Sequence, residues 1–177
     1  ATAVERLRNR KNRPDKPLAI MVANSESARK FCYVNTEEDK LLHSVEQPIV
    51  LLTKKSDSTL AENLAPGVAE IGLMLPYTPL HQVLFEQPDC PEALVMTSGN
   101  VSGSPICTAN DDALVRLGSI ADLFLFHDRE IVTRVDDSVL KRVADQTVMF
   151  RRARGYVPTP LGVSMKLPNI LACGAGL

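Results

Sequence analysis

Apolar residues in this chain gather into short runs, and run length decides what each run forms. Residues 18–22, 49–52, 68–75 and 94–96 are compact apolar stretches of strand length, the first two suited to buried strands. Between them the spacing turns helical. Val4, Leu7 and Arg8 begin a helix that reaches about Asn12, and residues 25–46 form a mostly polar helical stretch. Residues 59–64 make a short helix before the Pro66-Gly67 turn. Thr78-Pro79 supplies a hydroxyl cap and a proline at the first helical position, and Leu80, Val83 and Leu84 continue that helix. Thr108 caps another, carrying Ala113, Leu114 and Leu117, with Asp111 and Asp112 in its first turn.

Residues 123–126 are apolar and short, and 131–135, 139–143 and 147–150 read as closing strands, partly antiparallel because their connections are brief. Helices interleave early and strands cluster late. This order predicts an α/β fold with an open sheet of mixed direction, in preference to a purely doubly wound sheet or an all-β barrel. Beyond Tyr156, the segment with Pro158, Pro160, Gly162 and Pro168 reads as a linker. Residues 169–177 look like the opening strand and turn of a further domain. The expected division is therefore a domain over 1–158 followed by 159–177. A start without Met, inside a helical pattern, adds the expectation that the chain is a piece of a longer protein.

Composition narrows the function classes. With 177 residues, 45% of them hydrophobic, the chain can build one sizeable core, and a net charge of −1 gives no global field toward nucleic acid or membrane. Any anion site must be local, and the first sixteen residues provide one candidate, with six cations against two acids. Cys32, Cys90, Cys107 and Cys173 lack the spacing of a zinc site or a disulfide framework, which favours a reduced, cytoplasmic protein. No apolar run is long enough to span a bilayer, so no membrane partner is expected. His43, His81 and His127 do not fall at metal-ligand spacing, and neither GxxxxGK[ST] nor GxGxxG occurs.

Three segments carry candidate chemistry. In Arg10-Lys11-Asn12-Arg13-Pro14-Asp15-Lys16-Pro17-Leu18, Pro14 stops the helix and Pro17 holds Lys16 extended, so the cations cannot spread around one helix. Holding them together costs about 1 kcal/mol per close pair, which a phosphate would reverse. A solvated basic surface has the same composition. In Met96-Thr97-Ser98-Gly99-Asn100-Val101-Ser102-Gly103 a strand runs into small hydroxyl and amide residues, at the end of a sheet where ligands bind, although an ordinary turn uses the same residues. In Arg134-Val135-Asp136-Asp137-Ser138, followed by Arg151-Arg152-Ala153-Arg154, acids and cations alternate either as strand-edge ion pairs or as a polyphosphate grip. In that grip Asp136 or Asp137 would orient the arginines or approach magnesium. The same arginines could contact RNA phosphates.

In this order the three segments resemble the YrdC family of ATP-binding domains over nearly the whole chain. Residues 10–18 are similar to its Lys-x-Arg element and 97–103 to its Ser-x-Asn element. Residues 71–81, 121–129 and 151–158 resemble the HypF branch, the carbamoyltransferases of hydrogenase maturation. The resemblance implies a YrdC-like twisted open mixed sheet with flanking helices and a basic concave cleft. It also implies binding of ATP, with Mg2+, and of carbamate released from carbamoyl phosphate by a separate domain. Carbamoyl-adenylate and pyrophosphate would form, and a following domain would pass the carbamoyl group to HypE. By the same resemblance Lys11 and Arg13 act on the triphosphate as the catalytic pair, Lys16 stands nearby, and Ser98, Asn100, Ser138 and Arg154 complete the nucleotide site, the metal ligands being unassigned. The strand and turn that precede the first helix in the family are absent, which implies an impaired isolated piece. Two alternatives are a threonylcarbamoyl-adenylate synthase of tRNA modification and a non-catalytic module that binds double-stranded RNA.

Overall fold

The computed structural model describes residues 2–162, 164, 168, 170 and 171. The chain opens with helix α1 (Thr2–Lys11), then strand β1 (Ala19–Val22), helices α2 (Ser25–Phe31) and α3 (Thr36–Leu42), and strand β2 (Ile49–Thr53). Strand β3 (Glu70–Met74), helix α4 (Pro79–Phe85), strand β4 (Ala93–Met96), helix α5 (Asn110–Leu117) and the hairpin β5 (Val139–Val143) with β6 (Gln146–Arg151) complete it. The strands form one open six-stranded sheet in the order β4-β1-β3-β2-β5-β6. β1 lies parallel to β3 and β2 parallel to β5, and the other three pairings are antiparallel. The sheet of mixed direction expected from the element order is the one observed.

The strand runs have two different faces. Ile20 and Val22, Val50 and Leu52, and Ile71 and Leu73 face the core, where Val4 of α1, Ala28 and Phe31 of α2, and Leu42 of α3 cover them. The alternate residues Ala19, Ile49, Leu51, Gly72, Met74 and Met96 turn the other way and form an apolar floor. That floor lines a cleft. Gly72 belongs there because a Cβ would stand 2.7 Å from Ile49 Cγ2, on the sheet surface that must stay open.

Several local expectations are corrected. The helical stretch over 25–46 is two helices, since Cys32 leaves the helical conformation to bridge Lys54 and Asn35 starts α3 afresh through a capping box with Glu38. The short helix over 59–64 shrinks to one 3-10 turn, Glu62–Leu64. α5 begins after Ala109 with no side-chain cap, so Thr108 does not cap it, whereas Thr78 does cap α4 through His81 N–H. Residues 131–135 are not a strand: they pair with none of the six strands, and Ile131 and Val132 stay exposed. Most of the segment 169–177, and Cys173, lie outside the described residues. No helix among the described residues is long and apolar enough to cross a membrane.

Candidate functional site

The way α1 ends builds the first wall of the cleft. Arg13 N–H donates to Arg8 C=O at 3.0 Å and Asn12 N–H to Asn9 C=O at 3.2 Å, with Asn12 at φ 48°, the left-handed position of a Schellman stop. The helix thus ends at Lys11, three residues before Pro14, by an asparagine and not by the proline. The cations around this end point in different directions. Arg10 points away to Asp122 at 2.7 Å and to Ile120 C=O. Lys11 turns inward, only 3% exposed, and donates from Nζ to Ser98 C=O at 2.6 Å and Asn100 Oδ1 at 3.5 Å. Arg13 reaches the cleft, where Nη2 donates to Pro17 C=O at 3.0 Å and Nε is buried without a hydrogen-bond partner. Lys16 is exposed and is not among the lining residues.

The second wall is the turn that follows β4. Ser98 Oγ donates to Asn100 Oδ1 at 2.6 Å, and Asn100 Nδ2 donates to Ser104 C=O at 2.6 Å. The asparagine amide is therefore engaged in holding the turn, while Thr97, Ser98 and Gly99 line the cleft. Lys11 joins the two walls by anchoring this turn to α1.

The third wall comes from the end of the hairpin. Ser138 is fully buried; its Oγ donates to Arg154 C=O at 2.9 Å and accepts from Ala153 N–H at 2.8 Å, so the hydroxyl ties β5 to the segment after β6. Arg154 lines the cleft with every nitrogen engaged: Nε donates to Asp137 Oδ1 at 2.9 Å, Nη1 to Glu46 C=O at 3.0 Å and Nη2 to Gln47 C=O at 2.9 Å. Its guanidinium carbon lies 3.6 Å from the centroid of the Tyr77 ring. Gly155, at φ 85°, permits this close approach, since a Cβ there would stand 2.7 Å from Glu46 Cα. Arg151 differs. It lines the same cleft with its side chain about half exposed and makes only a 3.4 Å contact to Asp137 C=O and a 3.9 Å pair with Asp136.

The three walls and the apolar floor enclose about 470 Å³, within the range of small-molecule sites. Arg13, Arg151, Arg154, Asp136 and Asp137 all line it, Arg154 in contact with Asp137 and Arg151 beside Asp136. Burial, and then the charge of Arg13, lowers the pKa of Lys11; burial, followed by Arg8 and Arg151, lowers that of Arg13. Both shifts record cations held in partly desolvated surroundings near like charge, a condition that an anion relieves. Burial also raises the Tyr77 pKa, with Asp137 adding to it, and lowers that of His81, with Arg154 adding to it. Among the described residues no three His, Cys, Asp or Glu side chains stand together to hold a metal.

Of the residues singled out from the sequence, Arg13, Ser98 and Arg154 line one cleft; Lys11, Asn100 and Ser138 stand behind its walls; Lys16 stands apart. Arg8, Tyr77 and the apolar floor went unnoticed as parts of a site, and Arg151 was not separated from its neighbours. For Arg8 the signal was present: Val4, Arg8 and Lys11 fall at i, i+4 and i+7, one face of α1, and that face is buried.

Residues 1–153 match the model of the Sua5/YciO/YrdC family, described as "Telomere recombination". The chain belongs to this family. Within it the chain is similar to carbamoyltransferase HypF of Synechocystis sp., 52% identical over 159 residues, a match that covers 90% of this chain and 20% of that protein. Carbamoyltransferase HypF2 of Cupriavidus necator is 46% identical, over 98% of this chain and 24% of its own length. The chain thus spans about a fifth to a quarter of the curated relatives it matches. Among solved structures, full-length HypF in its phosphate- and nucleotide-bound form superposes with a TM-score of 0.86 at 48% identity, covering 90% of this YrdC domain and 25% of that chain. Sua5 of P. abyssi complexed with L-threonine shares the fold, with a TM-score of 0.72 at 20% identity over 86% of this domain and 44% of that chain.

Proposed function

We propose that this domain binds ATP and carbamate in the three-walled cleft and joins them as carbamoyl-adenylate, as part of a hydrogenase-maturation carbamoyltransferase that delivers the carbamoyl group to HypE. The observation that carries the proposal is the pair Arg13 and Arg151: two arginines on one cleft, one with a buried Nε lacking a partner and one only weakly engaged. The HypF relatives are named carbamoyltransferases, and one was solved with phosphate and nucleotide bound, which supports the same ligand class here.

The chemistry suits such a site. A carbamate oxygen attacks the α-phosphorus of ATP, the bond from that phosphorus to the bridging oxygen breaks, and pyrophosphate leaves with the electron pair. No proton need move. Catalysis then rests on alignment and on cations that offset the charge shifting onto the leaving group. Arg13 and Arg151 grip the phosphates, the turn over 97–99 faces them from another wall, and Lys11 and Asn100 hold that turn in place. Ser138 and Arg154 frame the cleft, and the apolar floor excludes water beneath the reacting atoms. Lys16 adds only a screened long-range attraction. Magnesium enters with ATP as part of the substrate.

The test is isotope exchange in a full-length protein carrying this domain. Labelled pyrophosphate is expected to enter ATP only when carbamoyl phosphate is supplied, and without threonine. A requirement for threonine would move the domain to threonylcarbamoyl-adenylate synthesis, and double-stranded RNA that stays bound at saturating ATP would move it to RNA binding.

A further inference from the structure

We propose that Arg8 is a positioning residue for the nucleotide: it touches no ligand, and its guanidinium fixes the backbone that aims Arg13 into the cleft. The inference rests on the nucleotide reading above and adds to it a residue outside the cleft lining. Arg8 is 6% exposed, on the face of α1 that also buries Val4 and Lys11. A buried arginine is ordinarily matched by a carboxylate. The partners found for this one are all backbone carbonyls.

Its three nitrogens make five hydrogen bonds. Nη1 donates to the carbonyls of Arg13 at 2.9 Å, Pro14 at 3.0 Å and Lys16 at 3.1 Å, so the loop from 13 to 16 curls around this one group. Nε donates to Asn63 C=O at 2.7 Å and Nη2 to Leu64 C=O at 3.2 Å, which anchors the guanidinium from the other side. Leu64 C=O also accepts from Leu18 N–H at 2.9 Å, at the entrance to β1, so the cradle is tied to the sheet. Three carbonyl dipoles converging on one point repel one another unless a cation sits among them. Without it the loop has no reason to hold its curl, and Arg13 loses its fixed origin.

Arginine is required for a geometric reason. The planar fork serves two sides at once, whereas a lysine ammonium has three donors at one point and cannot span from 63–64 to 13–16. Because no carboxylate among the described residues pairs with Arg8, its charge also reaches Arg13, whose pKa it helps to lower. The cradle therefore supplies both aim and field for an incoming anion.

The experiment is a double-mutant cycle read by calorimetric titration of MgATP into the 177-residue chain, with thermal melts to confirm folding. Arg8→Lys is expected to weaken affinity about tenfold and Arg13→Ala about ten- to a hundredfold, the range of one charge-assisted hydrogen bond. The double variant is expected to be no weaker than Arg13→Ala alone, because Arg8 acts through Arg13. A purely structural role would leave the R13A background equally sensitive to Arg8. Pro14→Gly, at an exposed position, loosens the same loop without touching the cradle's cation; it should also lose affinity, and lose nothing further in the R13A background. Losses that multiply, or wild-type affinity in Arg8→Lys, would overturn the inference while leaving the nucleotide site standing. If Arg8→Lys does not fold, undiminished affinity in Pro14→Gly overturns it instead. No binding by the unaltered chain would overturn the nucleotide reading and this inference together.

Discussion

Arg13→Ala will weaken MgATP binding by about ten- to a hundredfold and leave the domain's thermal stability nearly unchanged. The two parts of this expectation have separate causes. A hydrogen bond to a charged group contributes about 1.5–3 kcal/mol, and each 1.4 kcal/mol is roughly a factor of ten in affinity. Arg13 has Nε free for such a bond and spends Nη2 on one backbone carbonyl, that of Pro17. Its loss to the fold is correspondingly small, and removing it relieves the repulsion it shares with Arg8 and Arg151. Calorimetric titration with a parallel thermal melt checks both parts. Unchanged affinity would remove Arg13 from the site; a large fall in melting temperature would make it a structural residue.

The second large effect concerns Arg154, and it has the opposite signature. Arg154→Ala is expected to destabilise the domain by about 2–4 kcal/mol, because it deletes several hydrogen bonds from a charged group and leaves a carboxylate unpaired. The bonds lost are those to Asp137, Glu46 C=O and Gln47 C=O, together with the stack on Tyr77. Arg154 and Asp137 are both mostly shielded, with side chains 24% and 30% exposed, so solvent cannot replace what is removed. Denaturant unfolding reads the effect directly. Full stability with lost ATP affinity would instead make Arg154 a direct ligand contact, as the family resemblance implied.

These two arginines show where sequence and structure part company. Positions 151, 152 and 154 carry the same side chain within four residues, and only the register of β6 and the left-handed turn at Gly155 decide which cleft arginine is locked onto Glu46 and which is only weakly held. Nothing local distinguishes them. The strands, by contrast, were plain, because compact apolar runs at 18–22 and 49–52 have few other uses. Their second face was not. Ala19, Ile49 and Leu51 look like core residues in the sequence, yet they form the floor of the cleft; an apolar floor and an apolar core have the same composition.

The cationic run at 10–16 was legible as a feature and misleading as a cluster. Its four members diverge because Arg10 and Lys11 occupy successive positions of α1 that face different ways, and the Schellman turn at Asn12 then reverses the chain before Arg13. Asparagine tolerates the left-handed conformation, so Asn12 was the available signal for that reversal, ahead of Pro14. The break at Cys32 within 25–46 was hidden for another reason. It serves a tertiary contact, the bridge to Lys54, which periodicity cannot see. The apolar run at 131–135 has strand composition yet joins no strand of the sheet, a fact that only the strand pairing reveals.

The central claim is that the triphosphate of ATP lies between Arg13, Arg151 and the Ser98 turn. The most direct measurement is a crystal structure of this chain with a non-hydrolysable ATP analogue and magnesium. The account predicts phosphate oxygens within hydrogen-bond reach of Arg13 and of Ser98 or its neighbouring backbone, with Arg154 still bound to Glu46 and Gln47. An analogue seated on another face of the sheet, or phosphates that leave Arg13 Nε unpartnered, would contradict it.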